Sequence, residues 1–476
     1  MTNQKTIGKT VSCQTMSTTS VHNQKARLNV YHWTSHSGLA LIGALLNRTE
    51  LGERVDSTIL PGCQEPKIPH GDIVKSMVGL LCMGKPDYDA IEEFRNVPFF
   101  GHSLGIGQCP ASPTLRQRLD VVNGAFDQIV KEESASLIMN IKLRFRKTAV
   151  GIGTVSTEKG EWVPLDIDVS PFDNSKTKKE GVSRTYKGND GFAPIFAYLG
   201  KEGYQVNVEF REGGQHSQKN TPTFLRKTIR YAKMITGKDI LVRLDSGNDS
   251  LDNIAVCIAE GVDWLIKRNL RREKLEDWLK LAQEKGRKES PREGKTIWRG
   301  HTHREVEGFA EPLRIVFDVT ERTTKKGQYL LVPEIEVDTY WTSLDDDFFQ
   351  TVLLYHDHGT CEQFHSEIKS DMDLERLPSE NFSTNSDMMT LALLAYNLLR
   401  LCGQESLRED NGNLANRAIY RKKAERRRLR TVVQDSIYMA ARISFHAWQR
   451  YMSFGRYNPW AVVWQNLYHG FMNPIT

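Results

Sequence analysis

The spacing of apolar positions changes period along the chain, and each change predicts a different kind of element. From Gly38 the apolar residues recur at helical spacing, in LALIGALLN, in DIVKSMVGLLCMG ending at Gly84, and in YDAIEEFRN. PASPTLRQRLD follows, where Ser112 can cap a helix that has Pro113 at its first position and turns Leu115 and Leu119 inward. Thr114, Arg116, Gln117 and Arg118 then stand near the start of that helix. A linking helix is predicted over 125–139.

The period then drops from 3.6 to 2. Val163, Leu165, Ile167 and Val169 alternate with Asp166 and Asp168, which describes a strand with two carboxylates on one face. Segments 192–199 and 204–210 read as the next two strands, close enough for an antiparallel meander. A helix over 221–235, an apolar strand ILVRL ending at Asp245, a helix over 253–260 and a strand over 262–267 complete an α/β sheet with mixed strand directions. A charged segment then leads into strands expected around 297–306, 313–319 and 329–337, a β-rich insertion. Farther on, SDMMTLALLAYNLLRLC is apolar all round and is predicted to be a buried helix.

These shifts divide the chain into a Thr, Ser, Gln and Lys-rich tail expected to be disordered (1–25), a helical region (26–150), a mixed-sheet core in two parts (151–269 and 351–410), the β-rich insertion between them (270–350), and a basic, aromatic C-terminal region (411–476). At 39% hydrophobic and 26% charged, the composition is that of a soluble globular protein. The net charge of +5 is too small to imply a nucleic-acid partner by itself, so its distribution matters more. Residues 417–430, RAIYRKKAERRRLR, hold eight basic residues to one acidic and precede a stretch dense in aromatics, a combination that favours contact with a DNA backbone. The seven cysteines are scattered and never form C-x-x-C, which argues against a disulfide framework and a zinc ribbon and predicts reduced thiols in the cytosol. No apolar run predicts a signal peptide or a membrane span.

The candidate chemistry starts at Tyr355 to Lys369, YHDHGTCEQFHSEIK. If this segment is helical from His358, then His358, Glu362, His365 and Lys369 share one face while Phe364 and Ile368 pack on the other. A carboxylate held between a histidine and a lysine suits a metal ligand or a general base. Asp168 and Asp245, each at a strand end, supply two more acids. Three carboxylates meeting at the sheet ends make an all-oxygen site, which suits Mg²⁺ or Mn²⁺ rather than zinc. Asp166 lacks the serine pattern that follows Asp168 and reads as solvated or as a supporting acid. His301 and His303 offer two imidazoles from one strand face but no third ligand.

With those residues in view, the sequence resembles the DDE transposases of bacterial insertion sequences, in the superfamily whose third acid lies in the signature Tyr, two residues, Arg, three residues, Glu, six residues, Lys. Tyr355, His358, Glu362 and Lys369 keep that spacing, with histidine in place of arginine. Asp168, Val169 and Ser170 match the first-acid pattern, and Arg243, Asp245, Ser246 and Gly247 match the second. GNDGFAPIF, REGGQHS and LAYNLLR look like blocks of the thirteen-eighty group, with Gly214 where an asparagine is usual. The resemblance covers roughly residues 33–403.

The resemblance implies an RNase H-like mixed-sheet catalytic core interrupted by the β insertion, and an N-terminal helical DNA-binding domain. It implies Asp168, Asp245 and Glu362 as catalytic residues holding two Mg²⁺ ions, with Mn²⁺ as a substitute. Tyr355, His358, Lys369 and His216 would contact DNA near the site, and Trp298 would stack on an extruded base unless it is a buried tryptophan of the insertion. Thr114, Arg116, Gln117 and Arg118 would read the element's ends, and Arg421, Lys422, Lys423, Arg426, Arg427 and Arg428 would hold the DNA backbone. The partners implied are double-stranded DNA, as terminal inverted repeats and as target, and further copies of the chain in a dimer or higher oligomer on DNA, with no membrane. The location implied is the bacterial cytosol, on the nucleoid. A nuclease without strand transfer, or an inactive DNA-binding descendant favoured by the His358 departure, are the open alternatives.

Overall fold

Helix periodicity near the N-terminus builds a layer of short helices. The computed structural model describes residues 32–144, 151–325, 328–408, 414, 424–446 and 449–472, so the expected disorder of 1–25 and the DNA contacts expected of Arg421, Lys422 and Lys423 lie outside the described residues. A short strand, β1 (His32–Thr34), precedes α1 (Leu39–Leu46), α2 (Leu51–Asp56), α3 (His70–Cys82), a 3₁₀ turn over Tyr88–Glu93, α4 (Pro98–Leu104), α5 (Ser112–Asp120) and α6 (Asp127–Arg144). YDAIEEFRN is thus a 3₁₀ turn rather than an α-helix. Ser112 lies inside α5 and does not cap it: Ala111 is the cap, the Ser112 hydroxyl donates to Asp89, and its N–H donates to Glu92 at 2.7 Å.

The alternating stretch forms the sheet expected of it. After β2 (Val155–Ser156) come β3 (Glu161–Val169), the small strands β4 (Phe172–Asp173), β5 (Ser183–Arg184) and β6 (Asp190–Phe192), then β7 (Ile195–Leu199), β8 (Tyr204–Glu209), α7 (Thr221–Ile235), β9 (Ile240–Leu244), α8 (Leu251–Glu260) and β10 (Asp263–Lys267). The spatial order is β8-β7-β3-β9-β10, with β3, β9 and β10 parallel and β7 antiparallel to both neighbours. Val163, Leu165, Ile167 and Val169 enter the larger core, which also contains the buried side of α7 and the apolar residues of α12 (Phe382–Glu405). The other face, which carries Asp166 and Asp168, is covered by Val352 and Leu354 over Leu241, Leu265, Val316 and Tyr340.

The insertion consists of α9 (Leu275–Lys285) and four strands, β11 (Arg287–Arg292), β12 (Lys295–Arg304), β13 (Leu313–Lys325) and β14 (Gln328–Thr342). Its last strand is longer than the sequence suggests because Tyr340, Trp341 and Thr342 pair with Lys267, Ile266 and Leu265 of β10. The insertion therefore extends the core sheet to a single sheet of ten strands. After it, α10 (Phe348–His356) begins at Asp347, whose carboxylate accepts the Phe349 N–H at 2.8 Å. Then follow α11 (Cys361–Ser366), α12, α13 (Leu429–Val432), β15 (Ala441–His446), β16 (Gln449–Phe454) and α14 (Ala461–Met472). The C-terminal region returns to the N-terminal one, since β15 pairs with β1 and α14 packs on α1.

One acid links α12 to the helical layer. Asp387 accepts the Gly124 N–H at 2.9 Å with one oxygen, while the other is buried without a partner among the described residues. Burial, aided by the charge of Asp127, pushes its carboxyl up to about 7 against the pull of the Gly124 and Asn123 N–H groups. A carboxyl raised above its unfolded value stabilises the fold only while protonated, so this contribution is lost as pH rises from about 4 through about 7. Asp387→Asn is expected to gain about 2–4 kcal/mol over the parent near pH 8 and much less near pH 5. Urea midpoints at the two pH values check this.

Candidate active site

Parallel pairing of β3 with β9 brings the first two acids together. The register sets Ile167 beside Leu244, so Asp168 and Asp245, one step farther along, stand side by side at the carboxyl ends of adjacent strands. That edge is where open α/β sheets bind ligands. Asp168 accepts the N–H of its own successor, Val169, at 2.7 Å, and Asp245 accepts the Asn248 side-chain amide at 2.8 Å. A Cβ on Gly247 would lie 3.1 Å from an Asp245 oxygen, so the glycine after Asp-Ser keeps the space beside that carboxylate open. Burial, and then repulsion from Asp245, push the Asp168 carboxyl up to about 6.

The third acid arrives on a segment of mixed winding: α10, a 3₁₀ turn over Asp357–Thr360, α11, and a π turn over Glu367–Asp371. His358 Nδ1 lies 3.0 Å from Asp166 and His365 Nδ1 lies 3.8 Å from Asp168, which brings the helix that carries Glu362 to the same sheet edge. Glu362 is exposed, and no described side chain pairs with it. Tyr186, at the tip of the β5 to β6 hairpin, senses all three acids. Its hydroxyl donates to the Val169 carbonyl at 3.2 Å and is pushed up to about 12 by burial and then by the charges of Asp168, Asp245 and Glu362.

The expected common face of His358, Glu362, His365 and Lys369 is only partly present. Both histidines are buried, as are Phe364 and Ile368, and Glu362 alone is exposed at the rim. Beyond the π turn, Lys369 donates to the Pro171 carbonyl at 2.5 Å and lies 5.2 Å over the Phe172 ring. Burial works against a charged His358, but its hydrogen bond to Asp166 and the charge of that carboxylate together outweigh this and raise its pKa. Tyr355 is half-buried between the rings of Tyr340 and His358.

Asp166 is not solvated. It is 2% exposed, and Arg243 of β9 donates to both its oxygens, at 2.5 and 2.7 Å. Arg243 also donates to the Leu354 carbonyl at 2.6 Å, which ties the sheet to the end of α10. Asp166, His358 and Cys361 lie close enough, within 4.8 Å, to resemble a metal site. With a guanidinium on both carboxylate oxygens the group is a closed polar network, and the Arg243 charge opposes a cation there. Arg243 and His365 entered the sequence reading only through a motif and a helix face, without their carboxylate partners, and Tyr186 escaped it. A signal for the first existed: Asp-x-Asp on β3 and Arg-x-Asp on β9 align once the strands are set in parallel register.

The remaining predicted residues are spread over the fold. His216 is exposed on the rim of a cleft of about 540 Å³ that Tyr186, Ser217, Asp245 and Gly247 also line. Trp298 is 6% exposed in the core of the insertion, so its ring offers no face to an extruded base, and its place is that of a core tryptophan. On α5, Arg116 and Gln117 are exposed and Thr114 is half-buried, but Arg118 is turned inward, donating to the Ile68 carbonyl at 3.0 Å. Arg426, Arg427 and Arg428 are all engaged in internal ion pairs. His301 and His303 stack edge to face at 5.8 Å, and among the described residues no third ligand joins them.

A family model described as "Transposase DDE domain group 1" matches residues 18–468. No curated protein matches. Among solved structures the chain is similar to the cryo-EM structure of a piggyBac transposase synaptic complex with hairpin DNA, at 12% identity and a TM-score of 0.37 over 86% of this chain and 80% of that one. Nothing further rests on a likeness at that level.

Proposed function

The chain belongs to the Transposase DDE domain group 1 family, and from that premise we propose that it cleaves DNA at the ends of a mobile element and directs the freed 3′-hydroxyl at target DNA. The observation that supports this reading is the register that sets Asp168 beside Asp245 at the ends of β3 and β9, with His365, on the helix that carries Glu362, 3.8 Å from Asp168. The sheet order β8-β7-β3-β9-β10 supports an RNase H-like core, in which the first strand and its parallel neighbour carry the first two acids.

The donor set fits hard divalent cations. It consists of oxygens alone, Glu362 has no described partner, and Asp168 is held up at about 6 by burial and then by a neighbouring carboxylate whose repulsion a cation would relieve. Asp168, Asp245 and Glu362 would hold Mg²⁺, two ions in this reading, with Mn²⁺ as a substitute. When bound, such ions supply a water nucleophile at neutral pH and stabilise the leaving oxygen. The protein's own groups position the rest. His216, on the cleft rim, would contact a phosphodiester there, and Lys369, half-buried on the Pro171 carbonyl, would add positive charge. His358 is turned onto Asp166 and does not take the phosphate-orienting place of the family's arginine. Arg116 and Gln117 present the exposed polar face of α5 to an element end. Two ends must be held together, so the active form is a dimer or higher oligomer on DNA, and the setting we propose is the bacterial cytosol.

The test uses duplex DNA carrying the inverted repeats that flank the coding region. Nicking in Mg²⁺, and joining of a pre-cut end with a free 3′-hydroxyl to plasmid, are the expected results. Cleavage without joining would favour a nuclease lacking strand transfer. Absence of both would sink the proposal.

A further inference from the structure

The basic segment before α13 has a partner other than DNA. Arg428 is extended at the entry to α13, so neighbouring side chains point to opposite sides. Arg427 points inward. It is 5% exposed, pairs with Asp435, donates to the Ser406 hydroxyl at 3.0 Å and lies 4.3 Å over the Trp460 ring. Arg426 and Arg428 point the other way, onto the segment that carries Glu362. Arg426 donates to Gln363 at 2.8 Å and to Glu367 at 2.9 Å, and lies 4.6 Å over the Phe364 ring. Arg428 donates twice to Asp371, at 2.8 and 3.0 Å, and to Ser366 at 3.1 Å.

These contacts begin one residue after Glu362 and run to the end of the π turn. Glu367, 1% exposed, receives a second guanidinium from Arg400 and the Tyr396 hydroxyl at 3.2 Å. Arg400 in turn donates to the Arg427 carbonyl at 2.7 Å, which closes the network on the basic segment. The helix needs such support. An α-helix of six residues between a 3₁₀ turn and a π turn has little stability of its own.

We propose that Arg426 and Arg428 are positioning residues for Glu362, and that the stretch Arg426 to Arg428 is a clamp which holds the third acid at the metal site. This rests on the transposase reading above. The clamp is tested with Arg428→Ala, Arg426→Gln and Arg426→Lys in the full chain. Arg428 is half-exposed, but the Asp371 carboxylate it pairs with is buried and also accepts the Arg430 N–H at 3.1 Å, so urea unfolding of each variant is read beside metal binding. Mn²⁺ binding is followed by water-proton relaxation without DNA, and Mg²⁺ dependence by end cleavage. Loss of an outer support of metal ligands predicts about 10-fold weaker Mn²⁺ binding and a similar rise in the Mg²⁺ needed for half-maximal cleavage. End-DNA affinity stays within about 2-fold, because phosphate contacts are not what the two arginines make here. Arg426→Lys restores part of the Mn²⁺ affinity. Unchanged Mn²⁺ binding in folded Arg428→Ala overturns the clamp, as does weakened end binding with unchanged Mn²⁺ binding, which would make the segment a DNA contact. Failure of the parent chain to bind Mn²⁺ overturns the reading of the acid site itself, a result distinct from either.

Discussion

Alanine at Asp168, Asp245 or Glu362 is expected to reduce end cleavage by on the order of 10³-fold or more, since in the proposed reading each removes a metal ligand on which charge stabilisation of the reacting phosphodiester depends. Binding of end DNA should be preserved, because the exposed Arg116 and Gln117 lie on a different element. The three variants should also not unfold the protein. Asp168 is held up at about 6 by burial and by Asp245, so in the metal-free protein its ionised form is a cost to the fold near neutral pH. A raised carboxyl gives stability only while protonated, and that contribution is lost as pH rises from about 4 through about 6. Asp168→Asn is accordingly expected to raise metal-free stability by about 1–3 kcal/mol near pH 7.5. Gel-resolved cleavage, filter binding and urea denaturation separate the three effects. Parental cleavage rates in any one alanine variant would remove that acid from the site.

Asp166 provides the contrast, two residues away on the same strand face. Asp166→Ala leaves the Arg243 guanidinium, 1% exposed, without its bidentate carboxylate and with only the more distant, half-exposed Asp357 at 3.3 Å. Removing one partner of a buried ion pair costs about 3–5 kcal/mol. His358 loses its hydrogen bond in the same step. Replacing both charges, as Asp166→Leu with Arg243→Met, should cost far less, because no buried charge is left over. Equilibrium unfolding of the two variants measures the difference. If Asp166→Ala were as stable as the parent and deficient only in cleavage, Asp166 would be a ligand and the division of labour along β3 would have to be redrawn.

That division was half legible before any coordinates. The alternation of Val163, Leu165, Ile167 and Val169 with Asp166 and Asp168 fixes a strand and its two faces, because successive side chains of an extended chain must point oppositely. The acids Asp168, Asp245 and Glu362, and the spacing of Tyr355, His358, Glu362 and Lys369, could likewise be read from the chain, since local spacing constrains which groups share an element. The all-round apolar α12 could only be buried, and it is.

What sequence spacing could not supply was the choice among partners distant in the chain. It could not tell that Arg243 would neutralise Asp166, that His358 would turn inward with them, or that Trp298 would fill the insertion's core. Nor could it foresee that β14 would pair with β10 and merge the insertion with the core sheet. The basic run is the plainest case. Read alone, Arg426 and Arg428 are cations seeking an anion, and phosphate is the natural choice; folded, they meet Glu367 and Asp371, which lie far back in the chain. Periodicity and residue chemistry decided the elements and the kind of site, because both act locally. Tertiary packing decided which charges cancel and which remain free, because burial makes an unpaired charge too costly to leave and only the whole fold brings each charge its partner.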